Sequence, residues 1–210
     1  MGQYYICVNI SKQEFLYPHS HKTFSKLMEH SWVGNSLLFA VDYLLIPGQS
    51  WYKSRIVWAG DYMDARIFLP ENEPNKEQTL YAFAMDHFCE RTVDAYEALS
   101  GVYLRQTVAK TLESCDKEEI NYILIDEFNK EFRFILNHAK KEFVDKLKCP
   151  ACSDGWIIHP LSLLTSSGNG RGGGDYRGKS DYVGTWAGDV ISVESELPTG
   201  FKEIQPNFIE

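Results

Sequence analysis

The string Trp-Ala-Gly-Asp occurs twice, at residues 58–61 and 186–189, 128 positions apart. The same shift lays residues 4–16 (YYICVNISKQEFL) over residues 132–144 (FRFILNHAKKEFV). It matches Asn9 with Asn137, Lys12 with Lys140, Glu14 with Glu142 and Phe15 with Phe143. Two separate motifs in one register are hard to obtain by chance, and a repeat constrains a fold more tightly than composition does. The expected fold is therefore α+β: internally duplicated β-rich units, residues 1–68 and 131–210, with a helical insertion at 69–130 between them. Each unit is too short to bury an adequate core alone, so the two are expected to share one.

Each copy opens with a β-branched and aromatic run, then Asn and polar residues, then a short apolar run, which is the pattern of a β-hairpin. Residues 9–13 are the expected turn of the first. Each copy is expected to close with a strand ending at Trp-Ala-Gly-Asp, where Gly supplies a positive φ and Asp bonds the nearby backbone. That register places Trp58 on Trp186, both as core anchors. The run LLFAVDYLL (37–45) reads as a helix capped by Asn35 or Ser36, with a buried strand as the alternative that periodicity leaves open. In the insertion, Leu80, Phe83, Ala84, Phe88, Val93, Ala95, Tyr96 and Leu99 form a helical apolar stripe after the loop-like LPENEPN. INYILIDEF (120–128) reads as a helix, with a strand as the alternative.

The copies differ at GNGRGGGDYRG (168–178), which has no counterpart in the first. Ordering such a run costs backbone entropy and contributes little packing, so a bound group or a close backbone approach is its motive. Successive N–H groups of a glycine loop form a nest for an anion, and Arg171, Arg177 and Lys179 add charge-assisted donors. The expected ligand-binding residues are Asn169, Arg171, Gly172, Gly173, Gly174, Asp175 and Arg177, together with His159; the alternative is an ordinary surface loop. The letters fit GxGxxG, but a turn-like Asp175–Gly178 follows where a dinucleotide site needs a helix, so no nucleotide cofactor is expected. Cys149 and Cys152 make half of a zinc site with no second pair at suitable spacing, and no metal is expected.

A net charge of -8 disfavours non-specific nucleic acid and anionic membrane surfaces. No apolar run approaches the ~20 residues that span a bilayer, and the N-terminus lacks a secretory pattern. Five cysteines without framework spacing suit a reducing compartment, so a cytoplasmic location is expected.

The MGQYY start, KLMEHSWVGN (26–35), WAGDY (58–62), GNGRGGGDYRG (168–178) and WAGDV (186–190) together resemble an uncharacterised group of bacterial and phage proteins. No established activity comes with that resemblance, so it transfers no catalytic residue. Occurrence in phages implies antagonism of host defence within the host cytoplasm, by capture of a signal nucleotide or inhibition of a host protein. The expected function is non-catalytic capture of a phosphate-bearing small molecule by the glycine loop. The alternatives are a hydrolase using His159 or Asp175 as acid or base, and a protein–protein inhibitor of a host defence system.

Overall fold

The computed structural model describes residues 2–64, 67–69, 78–96, 98 and 117–209. Both expected hairpins are present and share a register. Strands β1 (Tyr5–Asn9) and β2 (Glu14–Leu16) pair with Asn9 opposite Glu14, while β5 (Phe134–Asn137) and β6 (Glu142–Asp145) pair with Asn137 opposite Glu142. The asparagines close the two turns alike: the Lys12 N–H donates to Asn9 Oδ1 and the Lys140 N–H to Asn137 Oδ1, each at 3.0 Å. A left-handed residue then returns the chain, Gln13 at φ 53° and Lys141 at φ 56°. Asn suits the first position because its carbonyl replaces a backbone acceptor in a tight turn.

The likeness extends to four strands in each half. β3 (Ser54–Gly60) lies antiparallel to β1 with Ile56 opposite Asn9, and β8 (Val190–Glu194) lies antiparallel to β5 with Ile191 opposite Asn137. The two-residue edge strands β4 (Cys89–Glu90) and β9 (Lys202–Glu203) run parallel to β2 and β6, with Cys89 opposite Glu14 and Lys202 opposite Glu142. Strand β7 (Ser166–Ser167) pairs off the main path with β3. The sheet order among the described residues, β4-β2-β1-β3-β8-β5-β6-β9, is thus the same role sequence read from either edge. At its centre Arg55 faces Val190, Ser54 faces Ile191, and the Ile56 N–H donates to Asp189 O at 3.2 Å. That register describes a pseudo-twofold axis passing between Arg55 and Val190.

The repeated tetrapeptide does not follow this axis. Trp58 lies inside β3, whereas Trp186 stands in the turn that precedes β8. The geometric counterpart of Trp186 is Trp51. Their indole N–H groups donate to the carboxylates of Glu14 (2.6 Å) and Glu142 (2.9 Å), the matching first residues of β2 and β6. Their backbone N–H groups donate to the last residues of two helices, Leu44 O and Leu164 O. Each tryptophan is followed two residues later by a left-handed residue, Lys53 at φ 54° and Gly188 at φ 79°. The turn requires that backbone conformation but not that letter, so the string match fell on the wrong tryptophan.

Helices cover the sheet on both faces. α1 (Leu27–His30), α2 (Ser36–Leu44), α4 (Lys117–Glu131) and α5 (Pro160–Leu164) contribute to the larger cluster, with Tyr5, Cys7, Trp58, Ile135 and Val193 from the strands. α3 (Leu80–His87) packs Leu80, Phe83 and Ala84 on the opposite face against Ile6, Val8, Phe15 and Val57. The alternation Tyr5/Cys7 against Ile6/Val8 shows why β1 is buried throughout: both faces of a central strand are covered. LLFAVDYLL and INYILIDEF are both helical, and Asn35 Oδ1 caps α2 by accepting the Leu38 N–H at 3.1 Å. The apolar stripe of the insertion does not continue as one helix. It breaks after His87, Phe88 is extended, and Cys89–Glu90 join the sheet edge; Leu99 lies outside the described residues.

Beneath β3, the Trp58 indole donates to His30 Nδ1 (2.9 Å), and His30 Nε2 donates to Phe24 O (2.7 Å). Both ring nitrogens are committed to the neutral form. Burial pushes the His30 pKa down to about 4, against a smaller opposing effect of the Phe24 carbonyl. The unfolded chain therefore takes up a proton below pH 6.5 that the folded chain refuses until about pH 4, and stability falls with pH across that window. The expected loss is about 3 kcal/mol. Urea unfolding at pH 7.5 and pH 4.5 checks this: His30→Gln should lose less stability on acidification than wild type, and equal slopes would contradict it.

Candidate functional site

The glycine loop is ordered by its own sequence. The buried Asp175 carboxylate accepts the backbone N–H groups of Arg171 and Gly172 on Oδ2 (both 2.9 Å) and the Tyr5 hydroxyl on Oδ1 (2.9 Å). Gln3, oriented with its amide nitrogen towards acceptors, donates to Asp175 Oδ2 (3.1 Å) and Gly168 O (2.7 Å). Burial first, and then the Asp175 charge, push the Tyr5 hydroxyl far above its ordinary pKa, so it remains a donor. The carboxylate on which the loop's N–H groups converge is thus the protein's own. Arg171 Nη1 donates to Tyr62 O (2.7 Å), Arg177 Nη2 donates to Gly172 O, and Asn169 exchanges bonds with the Tyr176 backbone. The loop also lies on the N-terminal segment, where Gly2 bridges Gly173, Gln3 N–H donates to Gly173 O and Met28 N–H to Gly174 O. A Cβ at Gly172 would stand 2.5 Å from Gln3 N, so the close approach that demands glycine here is intramolecular.

Removing the internal anion has a measurable consequence. Asp175→Ala leaves buried backbone donors and a buried hydroxyl without an acceptor and should cost about 3 kcal/mol. Because the nest outlasts its occupant, added acetate should restore part of the lost melting temperature in Asp175→Ala and leave wild type unmoved. Equal responses of the two proteins to acetate would show that the loop does not hold an anion.

His159 stands elsewhere. It caps α5, with Nδ1 accepting the Leu161 N–H (3.4 Å) and Nε2 donating to Asp42 Oδ2 (2.9 Å). Lys146, in the short helical turn that follows β6, reaches the same Asp42 oxygen at 2.7 Å and lies 5.0 Å from the centre of the Phe128 ring. All three side chains are buried, and Asp42 Oδ1 has no hydrogen-bond partner among the described residues. Burial opposes the Asp42 charge, but attraction and hydrogen bonds from His159 and Lys146 outweigh it and hold the carboxyl down at about 2. Burial also lowers the Lys146 pKa, offset in part by Asp42.

Two members of this cluster, Lys146 and His159, line a cleft. An inner cavity of about 360 Å³ is lined by Val33, Gly34, Ile125, Lys146, Ile158 and His159 among others. It shares Val33, Gly34 and Tyr122 with an outer chamber of about 530 Å³ that adds Glu29, Trp32, Asn35 and Trp156. A third, water-sized recess places Asp42 beside Asn129 and Ile125. The walls arise from a short antiparallel contact across the two halves. Trp32 bridges Ile158, Val33 N–H donates to Ile157 O, and His159 N–H donates to Ser31 O. The Cys149–Cys152 segment contributes by turning back on itself: Cys152 N–H donates to Trp156 O (2.7 Å) and Gly155 N–H to Cys152 O (2.9 Å), presenting Trp156 to Trp32. None of the described residues lining these three spaces belongs to 168–178.

Of the residues singled out in the sequence, the structure therefore gathers Asn169, Arg171, Gly172, Gly173, Gly174, Asp175 and Arg177 in one loop, and places His159 in the separate cleft. Sequence reasoning missed Asp42, Lys146, Trp32, Tyr122 and Trp156. One signal was available: Asp42 is the sole charge within LLFAVDYLLI, and a carboxylate in such a run implies a buried partner. Among the described residues, no group of three or more His, Cys, Asp or Glu side chains is placed to hold a metal ion, and no helix is long and apolar enough to cross a membrane. No family model, curated protein or solved structure matches the chain.

Proposed function

We propose that this chain is a non-catalytic binding protein, built from two diverged copies of one four-strand unit, that captures a small molecule in the cleft lined by Lys146 and His159. The observation that carries the reading is the conjunction of aromatic walls in the outer chamber with two buried polar side chains, Lys146 and His159, lining the inner one, since ligand sites pair apolar lining with a few convergent polar groups. Capture is favoured over hydrolysis because both His159 nitrogens are committed, one to Asp42 and one to the α5 backbone. A general base needs a free nitrogen within reach of a substrate proton.

Phosphate capture by the glycine loop is the second reading, supported by the anion nest itself. A phosphate there has to displace Asp175, and it brings negative charge towards that carboxylate. The two readings separate in one experiment: incubate the protein with a nucleotide and small-metabolite panel, remove unbound compounds, denature, and identify what is released. Intact compound whose retention is lost in Trp156→Leu and kept in Arg171→Ala supports the cleft. The reverse pattern supports the loop, and recovery of a new product overturns non-catalytic capture.

A further inference from the structure

The outer chamber has the composition of a cation cage. Trp32 and Trp156 stand with ring centroids 6.3 Å apart and planes at 72°, forming two walls that meet at nearly a right angle. Tyr122 supplies a third aromatic wall above Gly34, where an added Cβ would lie 3.8 Å from its ring edge. The only charged side chain among the described lining residues is Glu29, fixed at the start of α1 by accepting the Lys26 N–H at 2.9 Å. Trp156 and Tyr122 are 52% and 61% exposed, so their rings are accessible to a ligand. Aromatic faces carry negative quadrupole potential, and several faces with one carboxylate attract a cation that has no N–H to satisfy. Anions find no donor of positive charge in this chamber.

The geometry points to a small quaternary ammonium compound as the ligand: its methylated head would sit among Trp32, Tyr122, Trp156 and Glu29, and its tail would enter the inner cavity. This rests on the cleft being the binding site and adds the chemical class of the occupant. The inner cavity suits a short apolar tail, with Val33, Ile125, Leu147, Ile157 and Ile158 on its walls. The volume of the inner cavity, about 360 Å³ with buried Lys146 and His159 among its lining, suits a small molecule with a short tail.

The test is calorimetric titration of the full-length chain with choline, with its neutral carbon analogue 3,3-dimethylbutan-1-ol, and with a short peptide containing trimethyllysine. Choline should bind, and the neutral analogue should bind about tenfold more weakly, because shape is kept and charge is lost. Trp156→Leu and Tyr122→Leu should each weaken choline by a similar factor without lowering the melting temperature. Glu29→Gln, which keeps the helix-capping acceptor, should weaken choline several-fold and leave the neutral analogue unchanged. Equal affinity for choline and its analogue, abolished by Trp156→Leu, would overturn the cation assignment while preserving the cleft. No saturable binding of either compound would overturn the cation assignment, with the metabolite panel then judging the cleft separately. Tighter binding of the peptide than of choline would overturn the assignment to a small molecule.

Discussion

Asp42→Ala is expected to destabilise the protein by about 3–5 kcal/mol, the range for removing one partner of a buried ion pair. The loss strands the Lys146 ammonium and the His159 Nε2 proton together, since both donate to the same carboxylate oxygen and both side chains are buried. The larger part of that cost is the uncompensated charge rather than the lost attraction, and a second variant separates the two. Asp42→Val combined with Lys146→Met removes both charges and should recover most of the stability, because an apolar replacement of a buried pair is often neutral. Urea unfolding of Asp42→Val, Lys146→Met and their combination measures the coupling. A single-variant cost below about 1 kcal/mol would mean that the pair is hydrated, and the charge cluster beside the cleft would then not be desolvated.

Trp186→Ala and Trp51→Ala should each cost about 3–5 kcal/mol, from lost apolar burial and the cavity left behind. The two values should be alike, since each fully buried indole fills the same position in its half and donates to an equivalent glutamate. Replacement by phenylalanine keeps much of the packing and removes the charge-assisted bond, so Trp51→Phe and Trp186→Phe should each lose about 1.5–3 kcal/mol. Trp58→Ala should also be severe, but by another route: it exposes His30, whose Nδ1 loses its donor. Its penalty should therefore depend on pH, growing less steep on acidification as His30 becomes free to take a proton, whereas the penalties at Trp51 and Trp186 should not share that dependence on His30. A Trp186 variant that melts like wild type while Trp51→Ala unfolds would contradict their equivalence.

What could be read from the sequence follows from what is local. The hairpins were legible because Asn9 and Asn137 each close a turn with residues three positions away, and α2 because Asn35 caps a run of apolar residues. The register of the third strands was not, because the left-handed position is filled by Lys53 in one half and Gly188 in the other, and the paired letters pointed to Trp58 instead of Trp51. The insertion's single stripe concealed a strand, since Cys89 and Glu90 are placed by the Cys89 and Arg91 N–H groups donating to Gln13 O and Phe15 O, distant in sequence. The glycine spacing marks a loop with converging backbone N–H groups, but it does not show that the Arg171 and Gly172 N–H groups donate to Asp175 within the same loop. The cleft depends on contacts far apart in sequence: Asp42 lies 104 positions from Lys146 and 117 from His159, and no pattern within any of these segments names the others.

The five tryptophans make the binding cleft directly observable. Trp51, Trp58 and Trp186 have buried indoles committed to Glu14, His30 and Glu142, while Trp32 and Trp156 line the outer chamber. In a two-dimensional ¹H–¹⁵N spectrum of the labelled protein titrated with benzyltrimethylammonium, a binding cleft predicts saturable shifts of the Trp32 and Trp156 indole signals, with the other three unmoved. Trp32 and Trp156 indole signals that stay unmoved while the probe is raised to millimolar excess would contradict the cleft as the binding site.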